Sequence, residues 1–180
     1  MPSGAPPLRI GQGWDIHRLV TGRPLLLAGV RIPHDRGLLG HSDGDAVLHA
    51  VADALLGTVG AGDIGQHFPD TDPRYRGADS ATLLAEVVRI VAARRGQVVN
   101  ADVTILAERP KLAPHMPAMR SRLAELLGVD EARVGLKART MEGLGAIGAG
   151  EAIAAQAVVL VALSAARRAV TKPAPRRRGR

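Results

Sequence analysis

The second half of the chain switches repeatedly between two hydrophobic periods, and this alternation narrows the fold more than any other feature. SATLLAEVVRIVAARRG carries apolar residues at helical spacing, with Ser80 placed as N-cap, Glu86 inside, and Arg94 and Arg95 in the last turn before Gly96. VVNADVTILAE then reads as a strand, a helix from about Pro114 to Leu127 closes on Gly128, and RVGLKART is again a strand. A glycine-rich turn region, GLGAIGAGE, leads into AIAAQAVVLVAL, apolar enough for a buried strand. Helices interleaved with strands predict an α/β or α+β domain whose helices pack on one sheet. A length of 180 residues fits one such domain with a single core.

The first half supplies the remaining strands and one more helix. LRIGQGW reads as a strand, and RPLLLAGVRIP as two short strands broken near Gly29. SDGDAVLHAVADALLG has a helical stripe of Val47, Val51, Ala54 and Leu55, with Ser42 or Asp43 as N-cap and Gly57 as C-cap. The stretch from Gly60 to Asp79 is rich in Gly, Asp and Pro and reads as loop; at about twenty residues it is long enough to suggest function. The aromatics are Trp14, Phe68 and Tyr75 alone, so the core is built from Val, Ile, Leu and Ala, and base stacking on an aromatic platform is unavailable. The absence of cysteine excludes disulfides, thiolate metal sites and a thiol nucleophile.

A formal charge of +7 suggests nucleic acid until it is located. Arg167, Arg168, Lys172, Arg176, Arg177, Arg178 and Arg180 equal the whole excess, which leaves residues 1–166 balanced. The expected organisation is a flexible start over 1–7, a domain over 8–164 and a basic, disordered tail over 165–180. Nucleic-acid contact is expected only through that tail. MPSGAPP lacks the apolar run of a signal peptide, and the apolar stretch near 152–166 is too short to span a bilayer, so a cytoplasmic protein with no membrane partner is expected.

Within IGQGWDIHRL, residues two apart on a strand share a face, so Asp15 and His17 aim a carboxylate and an imidazole the same way. His49 sits on the helix with Asp45 and Asp53 one turn to either side. Taken singly, an Asp that caps and a His that packs explain each of these. Together, two imidazoles and one carboxylate are the donor count of a catalytic zinc with an open fourth position, and Asp45 or Asp53 is placed to orient a ligand imidazole. Asp63, Asp70, Asp72 and Asp79 are either solvated or acceptors for a polyol. Lys111, among prolines, marks a rigid turn or a base and phosphate pocket. Thr140 and Glu142, if extended, point a hydroxyl and a carboxylate the same way, as a phosphate and a second hard metal require.

GQGWDIH, LLGHSDGDAVLHAVADALLG, GDIGQHFPDTDP, YRGADS, DVTILAERPKLAPHMPAMR and KARTMEGLG occur in that order. This series closely resembles the 2-C-methyl-D-erythritol 2,4-cyclodiphosphate synthase family of the non-mevalonate isoprenoid pathway, over about residues 8 to 163. The resemblance implies a mixed β-sheet with helices on one side, assembled as a homotrimer with active sites between subunits. It implies Asp15, His17 and His49 as ligands of one Zn²⁺ per subunit, with Glu142 near a second ion, Mg²⁺ or Mn²⁺. His41 and Thr140 match residues credited with stabilising the transition state. Asp15, His17, His41 and Ser42, then Asp63, Ile64 and Gly65, and then Phe68, Pro69, Asp70, Thr71 and Asp72 match segments that hold the erythritol phosphate. Ala107, Glu108, Arg109, Pro110, Lys111, Leu112 and Ala113 match the cytidine pocket, and Arg139, Thr140, Met141 and Glu142 a diphosphate-binding segment.

The implied reaction is attack of the 2-phosphate of 4-diphosphocytidyl-2-C-methyl-D-erythritol 2-phosphate on its β-phosphorus, with release of CMP. Its nucleophile is already an anion, so positioning and charge neutralisation carry the rate rather than a strong base. The chain departs from the family pattern at Arg139, commonly Thr, at Ala146, commonly aromatic, and at Ala149, commonly Arg. The alternatives are a metal-dependent phosphohydrolase, in which water takes the open zinc position, or a catalytically impaired relative. In either, the tail would serve as a nucleic-acid-binding appendage. Gly11 and Gly13 are read as room for a close-packed substrate and backbone.

Overall fold

The computed structural model describes residues 7–164; the tail assigned to 165–180 and residues 1–6 lie outside the described residues. The strands are β1 (Leu8–Thr21), β2 (Leu25–Leu27), β3 (Val30–Ile32), β4 (Arg36–Leu38), β5 (Gly96–Leu106), β6 (Val134–Arg139) and β7 (Ala152–Leu163). Between them lie α1 (Ala46–Thr58), α2 (Ile64–His67), α3 (Ser80–Ala93), α4 (Met116–Leu127) and α5 (Gly145–Gly148). Five strands form one sheet in the order β4-β1-β7-β5-β6, with β5 and β6 parallel and the other pairs antiparallel. The domain is therefore α+β with a mixed sheet, as the alternating pattern and the resemblance together imply. β2 and β3 form a separate hairpin whose turn, Ala28 and Gly29, takes positive φ at both residues.

The alternation along β7 decides what each face does. Ile153, Ala155, Ala157, Val159 and Val161 are fully buried on the side covered by α1 and its neighbours, while Gln156 and Val158 are exposed on the other. β1 obeys the same rule. Its covered face carries Gly11, Gly13, Asp15 and His17, and its open face carries Leu8, Ile10, Trp14 and Ile16, with Ile10 72% and Trp14 49% exposed. The short α5 covers one end of the open face, where Ile147 packs on Ala152 and Ala154.

The glycines of β1 have a reason other than substrate room. A Cβ at Gly11 would lie 1.8 Å from the Ala54 carbonyl oxygen, and one at Gly13 would lie 2.0 Å from that of Ala50. Both glycines exist so that α1 can lie directly on the strand, and the substrate reading of them is corrected. The helix start also differs from the expectation. Asp45, rather than Ser42 or Asp43, is the N-cap of α1, and the helix runs through Gly57 to Thr58.

The Asp45 side chain is fully buried and accepts from Val47 and Leu48 N–H, each at 3.1 Å. It also accepts from Ala28 N–H at 3.0 Å and Gly29 N–H at 2.7 Å, which ties the β2–β3 turn to the helix. Four donors on one carboxylate leave none for His49, so Asp45 orients no imidazole. Asp53 is likewise committed to the Ile64 N–H at 2.7 Å. Asp45→Ala leaves these buried donors unpaired and is expected to cost about 3 kcal/mol or more of unfolding free energy, read by urea denaturation.

Other boundaries shift for similar reasons. Asp79 caps α3 through Ala81 N–H, so Ser80 is its first helical residue. The segment from Gly60 to Asp79 is not all loop. It holds α2 and a 3₁₀ turn over Pro73–Tyr75, capped by the side chains of Asp63 and Asp72. Gly128 ends α4 in the left-handed conformation, as expected.

Candidate metal centre and substrate pockets

Asp15 and His17 reach the covered face of β1 because of their two-residue spacing, and α1 brings His49 down onto them. Asp15 Oδ2 lies 2.9 Å from His17 Nε2 and 3.0 Å from His49 Nδ1, and the two ring nitrogens are 3.1 Å apart. All three side chains are largely buried. Among the described residues this is the one group of three or more His, Cys, Asp or Glu gathered closely enough to hold a metal ion.

The far side of each ring is also defined. His17 Nδ1 lies 2.6 Å from the Leu39 carbonyl, which only accepts, so Nδ1 carries hydrogen and Nε2 is the nitrogen left to offer a metal ion. His49 Nε2 lies 2.9 Å from Ser80 Oγ and 3.1 Å from Ser42 Oγ. Burial alone would raise the Asp15 carboxyl, but its contacts with His17 and His49 outweigh that and hold it well below the usual carboxylate range. Burial alone would lower the His17 imidazole, yet the Asp15 carboxylate and the Leu39 carbonyl raise it. The two directions describe one partnership: Asp15 stays an anion, and that anion favours positive charge beside it.

Two nitrogens and one oxygen suit zinc in number and in type. Tetrahedral Zn–N bonds of about 2.0–2.1 Å place ligand atoms roughly 3.3 Å apart, close to the separations observed, so the residues fit the ion with little movement.

Beside the cluster opens a cavity of about 250 Å³, lined by His17, His41, Ser42, His49, Ile64, Gly65, Phe68 and Asp70 and closed by Tyr75 and Leu83. Seven sequence-assigned substrate residues gather there, namely His17, His41, Ser42, Ile64, Gly65, Phe68 and Asp70, whereas Asp63, Pro69, Thr71 and Asp72 do not line the cavity. Asp63 and Asp72 spend oxygens locally. Asp63 accepts from Gln66, and Asp72 takes a bidentate grip from Arg74. His41 Nε2 is 3.4 Å from the Asp72 carbonyl.

A second cavity of about 230 Å³ collects Ala107, Glu108, Pro110, Lys111, Leu112 and Ala113 with Ala138, Arg139 and Thr140. Lys111 thus belongs to a pocket rather than to a bare turn. Thr140 Oγ1 donates to Glu142 Oε1 at 2.6 Å, and Met141 N–H donates to Glu108. Thr140 and Glu142 meet, but not by extension. β6 ends at Arg139, and Glu142 takes a left-handed backbone (φ 50) that folds its carboxylate back.

The two cavities share no lining residue. β1 and β6 are separated by β7 and β5, a span of roughly 14 Å at the usual strand spacing. Leu39, Tyr75 and Leu83 are site neighbours to which the sequence assigned no role, although Leu39 and Tyr75 lie within the family-like blocks. Ser80 and Asp43 were legible only as helix caps, because hydroxyls and carboxylates before apolar runs serve that role so often.

Among the described residues no helix is long and apolar enough to cross a membrane. The chain is 60% identical over 153 residues to the 2-C-methyl-D-erythritol 2,4-cyclodiphosphate synthase of Geobacillus kaustophilus, covering 85% of this chain and 97% of that protein. It is 57% identical over 159 residues to that of Bordetella avium, covering 88% and 98%. A solved 2C-methyl-D-erythritol-2,4-cyclodiphosphate synthase, in a form bound to CDP, superposes with a TM-score of 0.79 at 48% identity, covering 85% of this chain and 99% of the other. A model described as the YgbB family matches residues 8–162, nearly the whole described domain, and the chain belongs to that family, the family of these synthases.

Proposed function

We infer that this chain cyclises 4-diphosphocytidyl-2-C-methyl-D-erythritol 2-phosphate to 2-C-methyl-D-erythritol 2,4-cyclodiphosphate and releases CMP. The observation that carries this reading is near-full-length identity to synthases of that name, on a chain whose Asp15, His17 and His49 converge at one corner. In the reaction, a 2-phosphate oxygen forms a bond to the β-phosphorus while the bond from that phosphorus to the CMP oxygen breaks. The electron pair leaves with CMP, and no proton need be removed from the nucleophile. The reaction therefore needs a folded substrate and neutralised phosphates.

Asp15, His17 and His49 would hold Zn²⁺, and Glu142 would face Mg²⁺ or Mn²⁺. These ions supply Lewis-acid polarisation of phosphate oxygen and charge neutralisation on the departing CMP. His41, Ser42, Ile64, Gly65, Phe68 and Asp70 form a cup for the erythritol phosphate beside the cluster, and the neighbouring Asp63, Pro69, Thr71 and Asp72 belong to the same segments of the chain. His41 and Thr140 supply donors to the transferring phosphoryl group. The pocket over Ala107–Ala113 takes the cytidine, with Lys111 and Arg139 at hand for phosphate charge. Arg139 meets phosphate as a planar fork rather than through a hydroxyl. The catalytic domain in this reading spans residues 8–164.

One substrate must reach both cavities, yet in a single chain they are separate. This supports a homotrimer in which the metal corner of one subunit faces the cytidine pocket of the next. The open sheet face, with Leu8, Ile10, Trp14, Ile16 and Val158 exposed, is the apolar surface such an assembly would cover.

Product analysis tests the reading. Purified protein with substrate, Zn²⁺ and Mg²⁺ or Mn²⁺ is expected to yield cyclic diphosphate and CMP in equal amounts. Chelation is expected to abolish turnover, and returning the metals to restore it. Linear hydrolysis products would indicate a phosphohydrolase instead. No turnover in fully metallated protein would indicate an impaired relative, with Ala146 and Ala149 the first positions to revert.

A further inference from the structure

Ser80 and Asp43 have no part in the metal, substrate or catalytic assignments above. We propose that they form a positioning relay that fixes which ring nitrogen of His49 faces the metal, an inference that rests on the metal reading of this corner. The Asp43 carboxylate can only accept. Its Oδ2 takes the Ser80 backbone N–H at 3.0 Å, and its Oδ1 takes the Asp45 N–H at 3.1 Å together with the Ser80 hydroxyl. The single O–H of Ser80 is thereby committed to Asp43.

Ser80 Oγ then has only lone pairs to offer His49 Nε2 at 2.9 Å, so Nε2 carries the hydrogen. Nδ1 is then the nitrogen that would turn a lone pair to a cation held between it, Asp15 Oδ2 at 3.0 Å and His17 Nε2 at 3.1 Å. Ser42 Oγ accepts the Gly44 N–H at 3.2 Å and lies 3.1 Å from the same Nε2 and 3.4 Å from Ser80 Oγ, with its own hydrogen not committed elsewhere. Ser80 is 1% exposed, so water does not compete for its hydroxyl. His17 has its tautomer set by a backbone carbonyl, whereas that of His49 is set by two side chains in series. Partners of this kind are worth about 10–100-fold in metal affinity.

The test compares wild type with Ser80→Ala, Asp43→Asn and Asp79→Ala. The last variant removes a cap from the same helix end, the 2.8 Å bond to Ala81 N–H, without touching His49. Zn²⁺ affinity is read by competition with a chelator. The His49 nitrogen that carries hydrogen is read from ¹⁵N-histidine spectra of protein saturated with Zn²⁺. Wild type is expected to bind Zn²⁺ and to show a single Nε2–H tautomer. Ser80→Ala and Asp43→Asn are expected to bind roughly 10–100-fold more weakly and to show mixed tautomers, while Asp79→Ala matches wild type. Wild-type affinity and tautomer in folded Ser80→Ala would overturn the relay. So would an equal loss of affinity in Asp79→Ala, which would trace the effect to a loosened helix. Wild type that bound no zinc would overturn the metal reading and the relay with it, whereas zinc-binding wild type with an unchanged Ser80→Ala would overturn the relay alone.

Discussion

Replacing His49 with alanine is expected to remove tightly bound zinc and cyclising activity together. Asp15 Oδ2, His17 Nε2 and His49 Nδ1 lie within 3.1 Å of one another, and each can serve as a ligand atom. Loss of one leaves a carboxylate and an imidazole, a pair that binds zinc weakly in competition with water. Because loss of a mere supporting contact already costs about 10–100-fold, loss of a ligand is expected to exceed 100-fold in affinity and in CMP release. The fold is expected to survive, since alanine suits the interior of α1 and the imidazole is largely engaged with other polar groups. Metal analysis after gel filtration, alongside CMP release, reads both effects. Full zinc occupancy in the folded variant would refute the three-ligand assignment.

Much of this corner was legible in the sequence, and the reason is periodicity. Asp15 and His17 share a strand face whatever else happens, and the stripe around His49 gives its helix before any contact is known. Periodicity does not say which strand a helix lies on, so only the structure joins His49 to Asp15. It is equally silent on which of several acceptors caps a helix. Ser42, Asp43 and Asp45 all precede α1, and the choice falls to Asp45 because the same carboxylate also reaches the turn at Ala28 and Gly29. Released from capping α1, Ser42 and Asp43 face the metal corner instead, and so does Ser80 once Asp79 caps α3. The backbone at Glu142, as opposed to the residue itself, escaped for another reason. A left-handed backbone at a non-glycine residue runs against local preference and is held by surroundings that no local pattern records.

Gly13→Ala, like Gly11→Ala, is expected to be severely damaging for a change of one methyl group. Its Cβ would stand 2.0 Å from the Ala50 carbonyl oxygen, 2.7 Å from the Ala54 nitrogen and 3.0 Å from the Ala50 carbonyl carbon. All three are backbone atoms of α1, so no side-chain rotation relieves the clash and the whole helix must lift from the sheet. That helix buries Val47, Leu48, Val51, Leu55 and Leu56 in the core, so lifting it loosens packing along its full length. Overpacking usually costs about 1–3 kcal/mol, and a clash confined to backbone atoms belongs at or above the top of that range. For a chain of this size, about 3 kcal/mol lowers the melting temperature by roughly 6–12 °C. His49 rides on the same helix, so zinc affinity is expected to fall as well, although residue 13 touches no metal. Gly57→Ala supplies the contrast. A Cβ there meets only the Gly11 Cα, at 3.9 Å, inside α1, so that variant is expected to gain about 0.4–1 kcal/mol by restricting the unfolded chain. Opposite shifts in melting temperature for the two glycine-to-alanine changes would establish that contact distance, rather than glycine itself, governs this interface. A Gly13→Ala protein that melts with wild type would show that α1 can leave β1 freely, and would undo the account of how His49 is held.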